Sequence, residues 1–224
     1  MSAIPVHGTG TTVLNHGRPA GVGSTTGSEL DAILDEVGRY CDIRERLTLI
    51  PPSAKVRGTY CRSIDAAMEE AGKFKRYKEL FPNHMGTLNW HPTGEFLVRL
   101  TVASALLMDS AERVNEGMLE IGRKNALEFA HSLLGRMLMR LLSRDPRKLL
   151  MQGVAARRQT CSYGVWQVTF PRENEAVVDV NEEYLYFDSF MYGAALGTFD
   201  AIGLGVKARC DMDTKFRGRH YLSW

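Results

Sequence analysis

Hydrophobic positions along this chain change period once. Up to about Ala156 they recur every three or four residues, and from Cys161 onward they alternate. In the first regime Ser28 stands as an N-cap ahead of Leu30, Ile33, Leu34 and Val37, with Gly38 as a stop. Pro51-Pro52 breaks the segment before it. Ser63 is a second cap, before Ile64, Ala67, Met68 and Ala71, and Gly72 closes that helix. Phe74, Tyr77, Leu80 and Phe81 carry an amphipathic segment to Pro82, and Asn83 to Gly94 reads as a loop. Three long helical patterns come next: Glu95–Met108, almost all apolar and so central; Ala111–Ile121, punctuated by Gly122; and Asn125–Ser143. Pro146 starts a short helix to about Ala156.

In the second regime Ser162, Gly164, Trp166, Val168 and Phe170 share one face of a strand. Pro171 to Asn174 is a turn, and Ala176, Val178 and Val180 mark the partner strand. Phe190–Ile202 is a helix rich in small residues. Val206–Met212 and Arg219–Trp224 are strands joined by a turn at Asp213–Gly218. Helices first and a meander later predict an α+β domain, with N-terminal helices packed on a C-terminal twisted antiparallel sheet interrupted by one helix. No internal repeat is visible. Residues 1–27, rich in Gly, Thr and Ser, read as a flexible arm, and 28–224 as a single domain.

Composition narrows the function classes. A net charge of +2 over 224 residues does not by itself point to nucleic acid. The longest apolar run, Leu97–Met108, is interrupted by Arg99 and is too short to span a bilayer. With no apolar leader at the start and four widely spaced cysteines (Cys41, Cys61, Cys161, Cys210), the chain reads as cytoplasmic with reduced thiols.

Several segments carry a resemblance. Arg57-Gly-Thr-Tyr-Cys-Arg-Ser-Ile64, Leu119-Glu-Ile-Gly-Arg123, Leu134-Gly-Arg-Met-Leu138, the Ser162-Tyr-Gly strand and the closing Leu222-Ser-Trp224 are similar to a large uncharacterised paralogous family typical of myxobacteria. That family brings no activity with it. More distantly, Tyr192-Gly-Ala-Ala-Leu-Gly197, the strand through Cys210 and the last hairpin resemble the 4-vinyl-reductase type of small-molecule-binding domain. Its relatives include haem-nitric-oxide sensors and subunits of a Golgi tethering complex. This resemblance implies helices on a twisted sheet, an apolar cavity between them, and a homodimer. The tyrosine–serine–arginine signature of the haem sensors is missing, so haem is not expected and no cofactor is predicted.

Candidate chemistry follows from residue types. Aromatic side chains and small residues around the inserted helix predict a pocket for an apolar or aromatic small molecule, lined by Tyr163, Trp166, Tyr186, Phe190, Tyr192, Gly193 and Gly197. Arg157 and Arg158 would orient its polar end. The two glycines would permit close helix–sheet approach or leave room for the ligand. Arg136, Arg140, Arg144 and Lys148 form a basic ridge suited to an anionic partner surface. Cys161 and Cys210, with His131 or His220, are weak metal candidates, and small hydrophobes in a sheet are their simpler reading. Cys61 and Cys161 lie near arginines, yet nothing in the sequence positions a base beside them. Glu69-Glu70, Glu182-Glu183 and the Asp211/Asp213 pair read as solvated flanks. The expectation is a non-enzymatic sensor or adaptor that signals through a protein partner; the alternative is an assembly subunit with a filled core and no ligand.

Overall fold

The structure is a computed structural model that describes residues 24–133, 135–137 and 145–224. Its main elements, in chain order, are α1 (Ser24–Val37), α2 (Ile43–Leu49), β1 (Lys55–Arg57), α3 (Cys61–Glu70), α4 (Phe74–Leu80), β2 (Trp90–Pro92), α5 (Thr93–Met108), α6 (Val114–His131), α7 (Pro146–Thr160), β3 (Val165–Arg172), β4 (Glu175–Asn181), α8 (Phe190–Ile202), β5 (Lys207–Thr214) and β6 (Arg217–Ser223). The fold is α+β, as its two hydrophobic periods require. The four-stranded sheet has the order β3-β4-β6-β5 and is antiparallel throughout.

Alternation sets the faces of the sheet. Ala176, Val178 and Val180 on β4 and His220 and Leu222 on β6 are buried. Trp166, Val168, Phe170, Ala208, Cys210 and Met212 pack beside them. The opposite face carries a charge lattice: Arg219 bridges Asp179 and Asp213, and Arg209 lies over the Tyr221 ring. Opposite charges on neighbouring strands satisfy one another and keep this face in water.

Helix α8 is a middle layer. One side meets the sheet: the Tyr192 hydroxyl donates to the Ala208 carbonyl at 2.8 Å, and Phe199 packs on Trp224. Its other side meets α6 at backbone contact. A Cβ on Gly193 would stand 2.0 Å from the Leu119 carbonyl oxygen, one on Gly197 2.4 Å from that of Arg123, and one on Gly122 of α6 1.9 Å from that of Phe190. The glycines therefore interlock two helices; they do not bring α8 to the sheet. A fourth contact of this kind, Gly117 against the Ser104 carbonyl, joins α6 to α5.

Other boundaries differ from the sequence reading for identifiable reasons. Gly122 does not punctuate α6, because its missing side chain is filled by α8 and the helix runs through it. The supposed loop Asn83–Gly94 holds β2, which pairs with β1, and three-residue strands are too short to show alternation. Helix α1 begins at Ser24, so the arm does not extend to residue 27. Helix α7 runs on to Thr160, with the Asp145 carboxylate capping the amides of Arg147 and Lys148. Residues 1–23 of the expected arm lie outside the described residues, as do Arg140, Arg144 and most of the pattern's last turns before Ser143.

A buried arginine ties the helices to the sheet. Arg46 of α2 donates to the carbonyls of Tyr184, Leu185 and Lys215 and to the Asp42 carboxylate, and its guanidinium covers the Tyr186 ring at 4.4 Å. Charge-assisted bonds of this type are the stronger class.

Candidate functional site

The most heavily built polar site lies where α7 ends and the sheet begins. Glu182 adopts a left-handed backbone (φ 56°), uncommon for any residue other than glycine. This bend turns the chain inward after β4 and sends the Glu183 carboxylate into the core, where it is fully buried. Arg157, near the end of α7, meets it with Nε–Oε2 at 3.1 Å and Nη2–Oε1 at 2.6 Å. Trp166 Nε1 donates to Oε2 at 2.8 Å, and the Leu185 amide donates to Oε1 at 2.9 Å. Burial disfavours the Arg157 charge, but the adjacent Glu183 carboxylate outweighs it and leaves the guanidinium pKa raised. Four donors converge on this one carboxylate and satisfy its buried oxygens.

Tyr163 flanks this pair, with its ring 5.1 Å from the guanidinium carbon. Its hydroxyl is buried, and desolvation raises its pKa. The structure thus gathers three predicted residues, Arg157, Tyr163 and Trp166, around one that the sequence reading left in solvent, Glu183. Of the missed groups only Glu183 carried a signal, as one half of an acid pair at a strand end.

The other predicted residues are dispersed. Tyr186 donates from its hydroxyl to Cys41 Sγ at 3.6 Å, under Arg46. Phe190 is in the core, 6.0 Å from the Tyr60 ring and 5.7 Å from Phe96. Tyr192 edges onto His220 at 5.3 Å. Gly193 and Gly197 face α6. Arg158, Arg136 and Lys148 are exposed, whereas Arg157 is buried in its ion pair. Phe190 of α8, Phe96 and Leu100 of α5, and Phe187 share one core and are almost wholly buried, with Phe96 against Phe190 and Phe187 stacked on His220 of the sheet.

Two surface concavities formed by described residues are lined by neither Trp166 nor Tyr192. One, of about 510 Å³, has an apolar floor of Ala67, Leu107 and Leu127 beside the Arg123–Asp200 and Lys124–Glu70 pairs. The other, of about 340 Å³, lies on the charged sheet face near Lys207, Arg209 and Tyr221.

Cysteine and histidine chemistry is weak at each place the structure describes. Cys161 sits beside β1, bridged to Val56 and 3.9 Å from the Tyr60 hydroxyl. Cys210 pairs with His220 across β5 and β6, so these two are neighbours. Yet burial and the nearby Asp188 and Asp211 push the Cys210 thiol up to about 12. Burial also pulls His220 down to about 4 while Phe187 stacks on its ring at 3.7 Å. A thiolate–imidazolium couple needs both shifts reversed. Burial likewise pushes Cys61 up to about 12. Among the described residues no three His, Cys, Asp or Glu side chains cluster as a metal site, and no helix is long and apolar enough to cross a membrane.

Comparison with solved structures places the fold. An H-NOX protein from K. algicida, solved in the Fe(II) unliganded state, superimposes with a TM-score of 0.56 at 14% identity, over 75% of this chain and 95% of that one. A mutant of the same protein gives a TM-score of 0.58 at the same identity and coverage. The chain therefore has an H-NOX-like α+β fold. No curated protein matches it. Residues 50–216, a span that runs from just before β1 to just after β5, match the family model described as a protein of unknown function, DUF2378, and the chain belongs to that family.

Proposed function

We propose that this domain is a non-enzymatic adaptor with a filled core, which acts by docking a protein partner. The observation that carries this reading is the packing of Phe190 against Phe96 and Tyr60 where a ligand was expected. Inserting a molecule there would require moving aromatic rings out of a close-packed interior. Raised thiol pKa values and a neutral, stacked His220 argue against nucleophilic catalysis.

The partner surface is the outer side of α7. That helix buries Leu149, Leu150 and Arg157 and leaves Arg147, Lys148, Met151 and Arg158 exposed, with no acid beyond its N-cap Asp145. Exposed methionine beside basic side chains suits an acidic, partly apolar protein segment. Lys148 lies on this anionic-partner surface; Arg136, Arg140 and Arg144 join it from the sequence alone, the last two lying outside the described residues. Self-association, which the family resemblance implied, is part of the same proposal.

A second reading keeps the domain as a sensor, with a small apolar molecule held between α8, the sheet and α5 and a partner reading the change. Its support is the likeness in fold to an H-NOX protein described as Fe(II) unliganded, together with the gathering of Arg157, Tyr163 and Trp166. A sensor of this kind needs a second arrangement in which Phe190 vacates the core.

Native mass spectrometry of the full chain, purified gently from its own source, decides between them. Bare chain, chain multimers or a chain–protein complex support the adaptor. A stoichiometric small-molecule adduct refutes it and favours the sensor. In the adaptor case, Arg147→Glu with Lys148→Glu and Arg158→Glu leaves the melting temperature unchanged and abolishes the complex.

A further inference from the structure

Three buried side-chain atoms next to the Arg157–Glu183 pair have no hydrogen-bonding partner among the described residues: Arg157 Nη1, the Tyr163 hydroxyl and Thr93 Oγ1. They come from three elements. Thr93 opens α5, Arg157 lies in the last turns of α7, and Tyr163 leads into β3. The Tyr163 hydroxyl stands beside both the Arg157 guanidinium and the Thr93 side chain without making a well-formed bond to either. Buried polar atoms are rarely left unmatched, and several at one point mark a place where another molecule completes them.

The chemistry of the three atoms selects the occupant. Arg157 Nη1 only donates, so the occupant must accept. The two hydroxyls donate or accept, so an occupant that also donates serves all three. The guanidinium charge is already balanced by Glu183 at 2.6 Å. An added anion would face that carboxylate, and an added cation would face the guanidinium. All three atoms are shut off from solvent, so the occupant is enclosed by the protein rather than held in an open groove. We infer that Thr93, Arg157 and Tyr163 form an internal binding site for a single water molecule, which bridges α5, α7 and the start of β3. Such a water has the usual complement of about three bonds for an internal site.

The site links the helical half to the sheet independently of the partner surface. Thr93 is held at one end by its amide, which donates to the Ala54 carbonyl at 3.0 Å. Arg157 is held at the other by Glu183. Sliding α5 relative to α7 would break the bridge.

A crystal structure of the full chain at high resolution tests the inference directly. It should show one isolated density peak at about 2.7–3.2 Å from all three atoms. Thr93→Val and Tyr163→Phe supply a second readout with an informative sign. If the hydroxyls are simply unmatched, deleting one removes a desolvation penalty and the melting temperature rises. If they hold a water, each deletion strips it of a partner and the melting temperature falls by about 2–4 °C. An empty position in the wild-type map, a peak too large for one water, or a rise in melting temperature in both variants overturns the inference. Should Tyr163→Phe fail to fold, the wild-type map and Thr93→Val decide it.

Discussion

Replacing Gly193 by alanine adds one methyl group where α8 meets α6 at backbone contact. The new Cβ would lie 2.0 Å from the Leu119 carbonyl oxygen and 2.9 Å from its carbon. Both are backbone atoms of α6 and cannot rotate aside. Ordinary contact begins near 3.4 Å, so the two helices must separate locally by about 1.4 Å. Gly122 and Gly197 lie in the same interface, so their contacts loosen together. A gap of 0.5–1 Å already forfeits roughly a quarter to a half of each dispersion well. The expected cost is about 3 kcal/mol or more, at the upper end for overpacking. For a chain of this size that lowers the melting temperature by about 6–12 °C. Gly153→Ala is the matched control: it lies within α7 with nothing within 4 Å of its Cβ position. It should stabilise by about 0.5–1 kcal/mol through helix propensity alone. Thermal melts followed by circular dichroism read both. If Gly193→Ala melts within about one degree of the wild type, the interlocked packing of α6 and α8 is refuted.

Two further measurements probe the buried charges. His220 is neutral in the fold, its pKa lowered by burial from 6.5 to about 4. Its contribution is therefore complete above the unfolded value and lost as pH falls from 6.5 towards 4, reaching about 3 kcal/mol. Urea midpoints at intervals across that window should fall and then level off, and a flat profile in wild type contradicts the assignment. Glu183→Gln leaves the Arg157 guanidinium buried without a counter-charge and should cost about 3–5 kcal/mol in urea unfolding. Adding Arg157→Met to that variant should recover much of the loss. No recovery would mean that Glu183 acts mainly through Trp166 and the Leu185 amide.

The C-terminal third was legible because its signals are local. Alternation in Trp166–Phe170 and Ala176–Val180 is a two-residue pattern, and Phe190–Ile202 was bounded correctly by the change of period on either side. The α+β class followed from that order of elements. Glycine was readable as close approach, but a sequence does not say what approaches. Gly193 and Gly197 admit α6, whose own Gly122 looked like a helix stop. Glu183 was read as a solvated flank and Arg46 drew no reading, so the burial of both went unseen. Their burial depends on partners more than twenty residues away. For the site itself, residue type pointed to Arg157, Tyr163 and Trp166, while the carboxylate that organises them depended on a single left-handed bend at Glu182.

The position of β6 has a consequence for any shortened form of the protein. This last strand lies between β4 and β5, so the chain's final residues form the interior of the sheet. A polypeptide trimmed to the family-matched span would delete β6 entirely. It would strip β4 and β5 of their shared ladder and leave two bare edges of the type that recruit foreign strands. It would also remove Arg46, leaving the carbonyls of Tyr184, Leu185 and Lys215 without their donor. The segments flanking the matched span thus act as the closing stitches of the domain.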